Sequence, residues 1–253
     1  SRRLCHGVDE LIVPSQEMVE VLDRYGVATP STVIPTGIEL AEFQGGDGAG
    51  FRAAHGIAPD QPVLVTVSRL AVEKNIGFLL EVVARLAPTH PDLLFLVAGE
   101  GPDAERLRRR TAELGLQAQV RFFGNLDRRT TLLDFYRAGD LFVFASPTET
   151  QGLVLIEAMA LGVPIVSTAV MGTATVLADA RSACVSEEDV ATFAKHVAAL
   201  LADPEARRSL ALAGPEDAAA WSSDALMQRV VGLYARLAAD DPVPDRATPP
   251  LGA

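Results

Sequence analysis

Residues 145–167 read ASPTETQGLVLIEAMALGVPIVS. The apolar run Leu141–Ala145 that leads into them predicts a buried strand. A polar loop carrying Glu149 follows. Gly152 then opens an apolar helix, Leu153–Leu161, that carries Glu157. Pro164–Ser167 predicts the next strand. Strand, loop, helix, strand is the unit of a parallel sheet, because parallel neighbours must be joined by a crossover.

The alternation extends outward from this stretch. Upstream, Val63–Val67, Leu93–Ala98 and Gln119–Phe123 predict strands, and Ile76–Leu86, Pro102–Leu114 and Thr131–Ala138 predict helices, the second with Pro at its start. Downstream, Ala183–Val185 reads as a last short strand, and Val190–Ala202 and Ser222–Ala239 as helices. Nearer the start, Glu10–Pro14 and Ser31–Pro35 read as strands around a helix from Gln16 to Tyr25 capped by Ser15. Gln44–Gly50 is rich in Gly and without period, hence a loop or linker. The expected fold is α/β, a Rossmann-like parallel sheet covered by helices on both faces. Residues 1–37 are too few to bury a core and read as the end of another domain. After them come a linker (38–60), one complete α/β domain (61–217), a long helix (218–240) and a Pro-rich tail expected to be disordered (241–253).

Composition narrows the function. Hydrophobic residues make up 49% and aromatics 6%, so the core must be aliphatic. The net charge of -11 repels nucleic acid and anionic headgroups, so no nucleic-acid partner is expected. Arg106, Arg108, Arg109 and Arg110 are read as a solvated helix face in preference to a phosphate or membrane patch. Cys5 and Cys184 form no disulfide framework, which points to a reducing compartment, the cytoplasm. No apolar run is long enough to span a bilayer. The chain starts without Met and without the apolar core of a signal peptide, and is read as a fragment of a longer protein.

In an open parallel sheet, ligands bind outside the carboxyl ends of the strands. Ser68-Arg69, Gly99-Glu100-Gly101, Gly124-Asn125 and Ser146–Gly152 all follow predicted strands and are expected on one rim. Arg69 and Lys74 at one strand end, with Glu149 and Glu157 at another, suit a ligand that is both polyanionic and polyhydroxylated. A sugar nucleotide has that description. Each residue also has a plainer reading. Arg69 could pair with Glu73 on the surface, and Glu149 could complement the amino end of a helix. Glu157 sits in an otherwise buried helix, where a carboxylate needs a partner, and a ligand is a good one. Gly99-Glu100-Gly101-Pro102-Asp103-Ala104 fits a dinucleotide-binding turn, but it follows the domain's second strand and no acid ends the next one. It is read as a tight turn near the ligand. His6, His55, His90 and His196 lack metal spacing, Asp-x-Asp does not occur, and no Gly-x-Ser-x-Gly marks a hydrolase serine. Neither a metal nor a cofactor is expected.

SRLAVEKN (68–75), GEGP (99–102), FFGN (122–125) and the pair Glu149-x7-Glu157 followed by AMALGVPIVST resemble the carboxyl-terminal half of GT-B glycosyltransferases of the retaining family 4 type. VPSQEM and VIPTGIELAEF, nearer the start, resemble the segment where those enzymes leave their first domain. The resemblance covers Ile12 to about Ala239. It implies an enzyme that moves a hexosyl group from a nucleotide-diphosphate sugar to a glycan, lipid or small-molecule acceptor, with retention and without a metal. Arg69, Lys74 and Glu149 would be catalytic, the two cations holding the diphosphate and Glu149 the donor sugar. Ser68, Gly99, Gly101, Asn125, Leu126, Gly152, Leu153, Val154 and Glu157 would bind the donor, Asn125 and Leu126 at the base and Glu157 at the ribose. The acceptor pocket and any peripheral membrane contact, at the inner face of the membrane, would belong to an amino-terminal domain that 1–37 only ends. The helix 218–240 would cross back toward that domain. This chain alone would bind nucleotide with little or no transfer.

Two positions depart from the family's pattern. Gln151 stands where an aromatic is common. Met171-Gly172-Thr173-Ala174-Thr175 stands where a Gly-Gly-x-x-Glu turn is common, and lacks the acid. A sugar-nucleotide epimerase of GT-B architecture and a non-catalytic nucleotide-binding module are the alternatives. The first would need catalytic acids and histidines on the rim, and no suitable His is there.

Overall fold

The computed structural model describes residues 2–240. The tail expected to be disordered, 241–253, lies outside them. After a short helix α1 (Arg2–Cys5) come β1 (Leu11–Val13), α2 (Gln16–Arg24), β2 (Ser31–Val33) and α3 (Gly48–Ala54). The main run follows: β3 (Val63–Val67), α4 (Ile76–Leu86), β4 (Leu94–Ala98), α5 (Ala104–Glu113), β5 (Val120–Gly124), α6 (Thr131–Ala138), β6 (Leu141–Phe144), α7 (Leu153–Ala160) and β7 (Ile165–Thr168). It closes with α8 (Gly172–Leu177), β8 (Ala183–Ser186), α9 (Val190–Ala202), α10 (Pro204–Ala219) and α11 (Ser223–Asp240).

Six strands form one parallel sheet in the order β5-β4-β3-β6-β7-β8. The chain grows outward from β3 on one side and then restarts beside it with β6. The strand order therefore reverses between β3 and β6, and a crevice opens above their carboxyl ends.

The apolar strands read from sequence are continuous because both faces are covered. Their residues alternate between two cores. Val63, Val65, Leu94, Leu96, Phe142 and Phe144 face one side with α3, α6 and α7. Leu64, Phe95, Val97, Leu141 and Val143 face the other with α4, α5 and α9. Phe142 is fully buried, and truncating such a side chain to Ala costs about 3–5 kcal/mol.

The short helices α1 and α8 were not expected, and two longer segments also differ from expectation. The Gly-rich stretch read as a loop or linker runs into α3, whose start is capped by Asp47 Oδ1 accepting from Gly50 N at 2.8 Å. Its glycines are there for close packing. A Cβ on Gly48 would lie 2.2 Å from the Arg137 carbonyl oxygen at the end of α6. Ile38, Phe43, Phe51 and Ile57 all join the core, so residues 38–60 are packed onto the sheet's helices and do not form a free linker. Residues 204–219, for which no element was expected, form α10, with Pro204 in its first turn and Pro215 inside it.

β1 and β2 pair in parallel as a separate two-stranded sheet, with α2 between them in sequence. Across it lies α11. Leu226 and Leu233 pack with Ile34, and Arg229 Nη2 donates to the Val33 carbonyl at 2.6 Å. The two connections to the large sheet run side by side: Ile38 N donates to Trp221 O at 3.0 Å and Ser223 N to Ile38 O at 2.9 Å.

Candidate functional site

Three loops meet above the crevice. The Ser68–Leu70 loop after β3 is sewn to the loop after β4 by Ser68 N→Ala98 O (3.1 Å), Leu70 N→Glu100 O (2.9 Å) and Asp103 N→Leu70 O (2.9 Å). That contact needs glycine. A Cβ on Gly99 would lie 1.9 Å from Ser68 O, and one on Gly101 would lie 2.2 Å from Leu70 O. The turn reads as a tight one beside the site, as expected from its sequence.

A 3-10 turn, Val72–Lys74, is fastened to the end of β6. Ser146 Oγ donates to Glu73 O at 3.1 Å, and Asn75 Nδ2 donates to Ala145 O at 3.2 Å. Asn75 holds a left-handed backbone, φ 54 and ψ 32, a conformation Asn tolerates better than most residues. The turn thereby aims Lys74 across the crevice, where Nζ lies 2.5 Å from Glu149 Oε2. Arg69, in contrast, is exposed and forms no ion pair among the described residues, with Glu73 or any other carboxylate.

Two cavities of about 480 and 470 Å³ flank this loop and share the wall Val67, Ser68, Arg69 and Val154. Gly99, Asn125, Leu126 and Arg128 line the first. Lys74, Glu149, Gln151 and Leu153 line the second, together with Pro14 and Thr36 from the leading segment. A further cavity of about 490 Å³ lies between β2, α8, α10 and α11, and brings together none of the expected site residues.

Gly101, Gly152 and Glu157 line neither of the two site cavities. Gly152 is the N-cap of α7 at φ 84, so the amides of Leu153 and Val154 head that helix without acceptors inside it. Glu157 is 2% exposed and does not wait for an outside partner. Its Oε1 accepts from Arg128 Nη2 at 2.5 Å and its Oε2 from the Tyr136 hydroxyl at 2.8 Å. This corrects the expectation that a ligand would be needed to satisfy it. Burial pushes the carboxyl above its ordinary value, partly offset by Arg128 and Tyr136. Burial, and then the charge of Glu157, hold the Tyr136 hydroxyl well above the usual range, so it stays a donor.

Arg128, Tyr136 and Thr36 are the residues that sequence reasoning missed. Tyr136 offered a signal, since a tyrosine on a buried helix face needs a partner for its hydroxyl. Arg128 directly follows the Asn125-Leu126 stretch, but nothing in its spacing points to a contact with α7. Among the described residues, no cluster of His, Cys, Asp and Glu could hold a metal ion.

The arrangement offers one unpaired guanidinium, one lysine shared with a carboxylate, helix-end amides and a buried carboxylate network around two joined cavities. Residues 49–217 match the family of group 1 glycosyl transferases. The chain belongs to that family.

It is similar to named enzymes along most of its length. It is 36% identical over 245 residues to D-inositol 3-phosphate glycosyltransferase 2 of Catenulispora acidiphila, a match covering 91% of this chain and 56% of that protein. It is 35% identical over 171 residues to the alpha-monoglucosyldiacylglycerol synthase of Streptococcus pneumoniae, covering 66% of this chain and 38% of that protein. Among solved structures it resembles the sucrose-phosphate synthase of Thermosynechococcus elongatus, with a TM-score of 0.82 and 28% identity over 95% of this chain and 61% of that one. The chain thus spans about half the length of the curated glycosyltransferases it matches. The sheet and its helices match the GT-B architecture expected from sequence. The family match does not favour the epimerase or binding-module alternatives. None of the described helices is long and apolar enough to cross a membrane.

Proposed function

We propose that this chain is the donor-binding part of a retaining, metal-independent GT-B hexosyltransferase of the family 4 type. The observation that carries the reading is Arg69. Its unpaired guanidinium stands in the wall common to both cavities, where a diphosphate would join a nucleoside on one side to a sugar on the other. Asn125 and Leu126 would meet the base and Glu149 the sugar. Glu157, which neither cavity reaches, would act through Arg128 in the wall of the first, and the amides of Leu153 and Val154 would face sugar or phosphate oxygens.

In the transfer, the bond between the anomeric carbon and the β-phosphate oxygen breaks, and the departing diphosphate takes the electron pair. Arg69 and Lys74 stabilise the charge that develops there. The acceptor oxygen bonds to the anomeric carbon on the face the phosphate left, and its proton passes to the departing β-phosphate oxygen. Since the chain spans about half of its curated relatives, we assign the acceptor site to a domain outside these residues, with 1–37 its end and α11 lying against it. The relatives are named for a diacylglycerol and an inositol phosphate, so a lipid or polyol acceptor suits the reading. The free cysteines, Cys5 and Cys184, accord with a cytoplasmic enzyme.

Calorimetric titration with UDP, GDP and ADP without added metal tests the reading. One diphosphate is expected to bind, and Arg69→Ala and Glu157→Gln are each expected to weaken it about tenfold or more. Binding of none, or binding that ignores Arg69, overturns the proposal.

A further inference from the structure

Gln151 holds the backbone of Thr36 with both ends of its amide. Thr36 N donates to Oε1 at 2.8 Å, and Nε2 donates to the Thr36 carbonyl. Gln151 is 7% exposed, so its amide would go unsatisfied without Thr36, which itself is exposed. A primary amide that pairs the N–H and the C=O of one residue does what a neighbouring strand would do. An aromatic side chain here could not do both.

The tie joins two parts of the chain 115 residues apart. Thr36 lies between β2 and Ile38, which is itself bonded to Trp221 and Ser223 on the parallel connection. Gln151 lies two residues from Glu149, in the loop that faces Lys74. Thr36, Gln151, Glu149 and Lys74 all line the second cavity. The first cavity takes no residue from the leading segment.

We propose that Gln151 is a positioning residue for the donor sugar: by fixing the Thr36 backbone in the wall that Glu149 also lines, it sets the width of the second cavity and with it which sugar fits. The inference rests on the donor-site reading above. It separates two ligand parts. The diphosphate meets Arg69, in the wall that both cavities share, while the sugar lies in the cavity that the tie closes.

The test titrates the wild type, Gln151→Ala and Gln151→Glu with UDP, GDP and ADP, then with the glucose conjugate of whichever diphosphate binds. Deuterium exchange of the segment 33–38 is followed on the same samples. The Glu variant keeps the acceptor for Thr36 N but turns a carboxylate oxygen toward the Thr36 carbonyl. Both variants are expected to bind the diphosphate within about twofold of wild type and the nucleotide-glucose about tenfold more weakly, the worth of one or two lost hydrogen bonds. Exchange at Thr36 is expected to quicken in both. Equal weakening toward both ligands means the tie only holds the fold, and overturns the inference. So does faster exchange with no change in either affinity. A wild type that binds none of the diphosphates overturns the donor-site reading itself, a result read before any variant is compared.

Discussion

Lys74 Nζ lies 2.5 Å from Glu149 Oε2, the lysine on the turn after β3 and the glutamate on the loop after β6. The pair bridges the two strands between which the order of the sheet reverses. Each side chain is 19% exposed, so the pair is neither buried nor free. A partly exposed ion pair is worth on the order of 1 kcal/mol, less than a lysine gains from a phosphate held at hydrogen-bond distance. A diphosphate can therefore take Lys74 from Glu149, at the cost of breaking the pair.

This competition gives opposite signs for two substitutions. Glu149→Gln removes the carboxylate that holds Lys74 and repels phosphate, so bare diphosphate is expected to bind about threefold to tenfold more tightly. Lys74→Met is expected to weaken it about tenfold or more. Calorimetry on the two variants decides. Equal loss in both would show that Lys74 serves Glu149 and not the ligand.

Glu157 gives a pH signature. Its folded pKa is raised above the ordinary 4.5, chiefly by burial. The native state therefore holds the proton more tightly than the unfolded chain does. The contribution of Glu157 to stability is present in full below the unfolded value and is lost as pH rises through the raised folded value. Gln at this position has no proton to lose. The stability of wild type minus that of Glu157→Gln is expected to fall as pH rises above about 4.5 and to level off once the folded carboxyl has ionised. Tyr136→Phe removes the donor to Oε2. It is expected to push the decline to higher pH and to cost about 1–3 kcal/mol at neutral pH. Urea unfolding at stepped pH reads both, and a difference that does not vary with pH would refute the assignment.

The parts legible in the sequence were those set by local pattern. Val63–Val67, Leu94–Ala98 and Leu141–Phe144 are apolar except for Thr66 because both faces of the sheet are covered, and that distinguishes them from one-sided strands. Once the strands were placed, Ser68, Arg69, Lys74, Gly99 and Glu149 followed, since each lies just past a strand end. What stayed hidden depends on distant neighbours. Gly48 looks like a linker residue until Arg137 is seen against it. Pro215 hid α10, whose packing on α7 holds a helix that local propensity would break. Arg128 meets Glu157 across 29 residues, and Gln151 meets backbone atoms of Thr36, which no side-chain pattern reports.

Met171 adopts φ 54 and ψ -130, a backbone region that suits glycine. It stands at the turn where the resembled family commonly has Gly-Gly. A side chain held there costs on the order of 1–3 kcal/mol and persists only if its surroundings impose it. Here they do. Gly172 N donates to the Glu149 carbonyl at 2.9 Å, a Cβ on Gly172 would lie 2.1 Å from the Thr150 carbonyl, and Val170 N donates to Thr173 Oγ1 at 2.8 Å. The loop carrying Glu149 and this turn are thus pressed together, with Met171 bearing the strain. Met171→Gly is expected to relieve it. After the extra entropy of glycine in the unfolded chain, the gain is about 1 kcal/mol, or ~2–4 °C in melting temperature for a chain of this length. Met171→Ala keeps the Cβ and so the strain, and is expected to give no gain. If both variants melt lower than wild type by the same amount, the Met171 side chain is stabilising by packing and the strain is small. If only the glycine variant melts higher, the turn beside Glu149 holds a strain that this sequence imposes on the Glu149 loop.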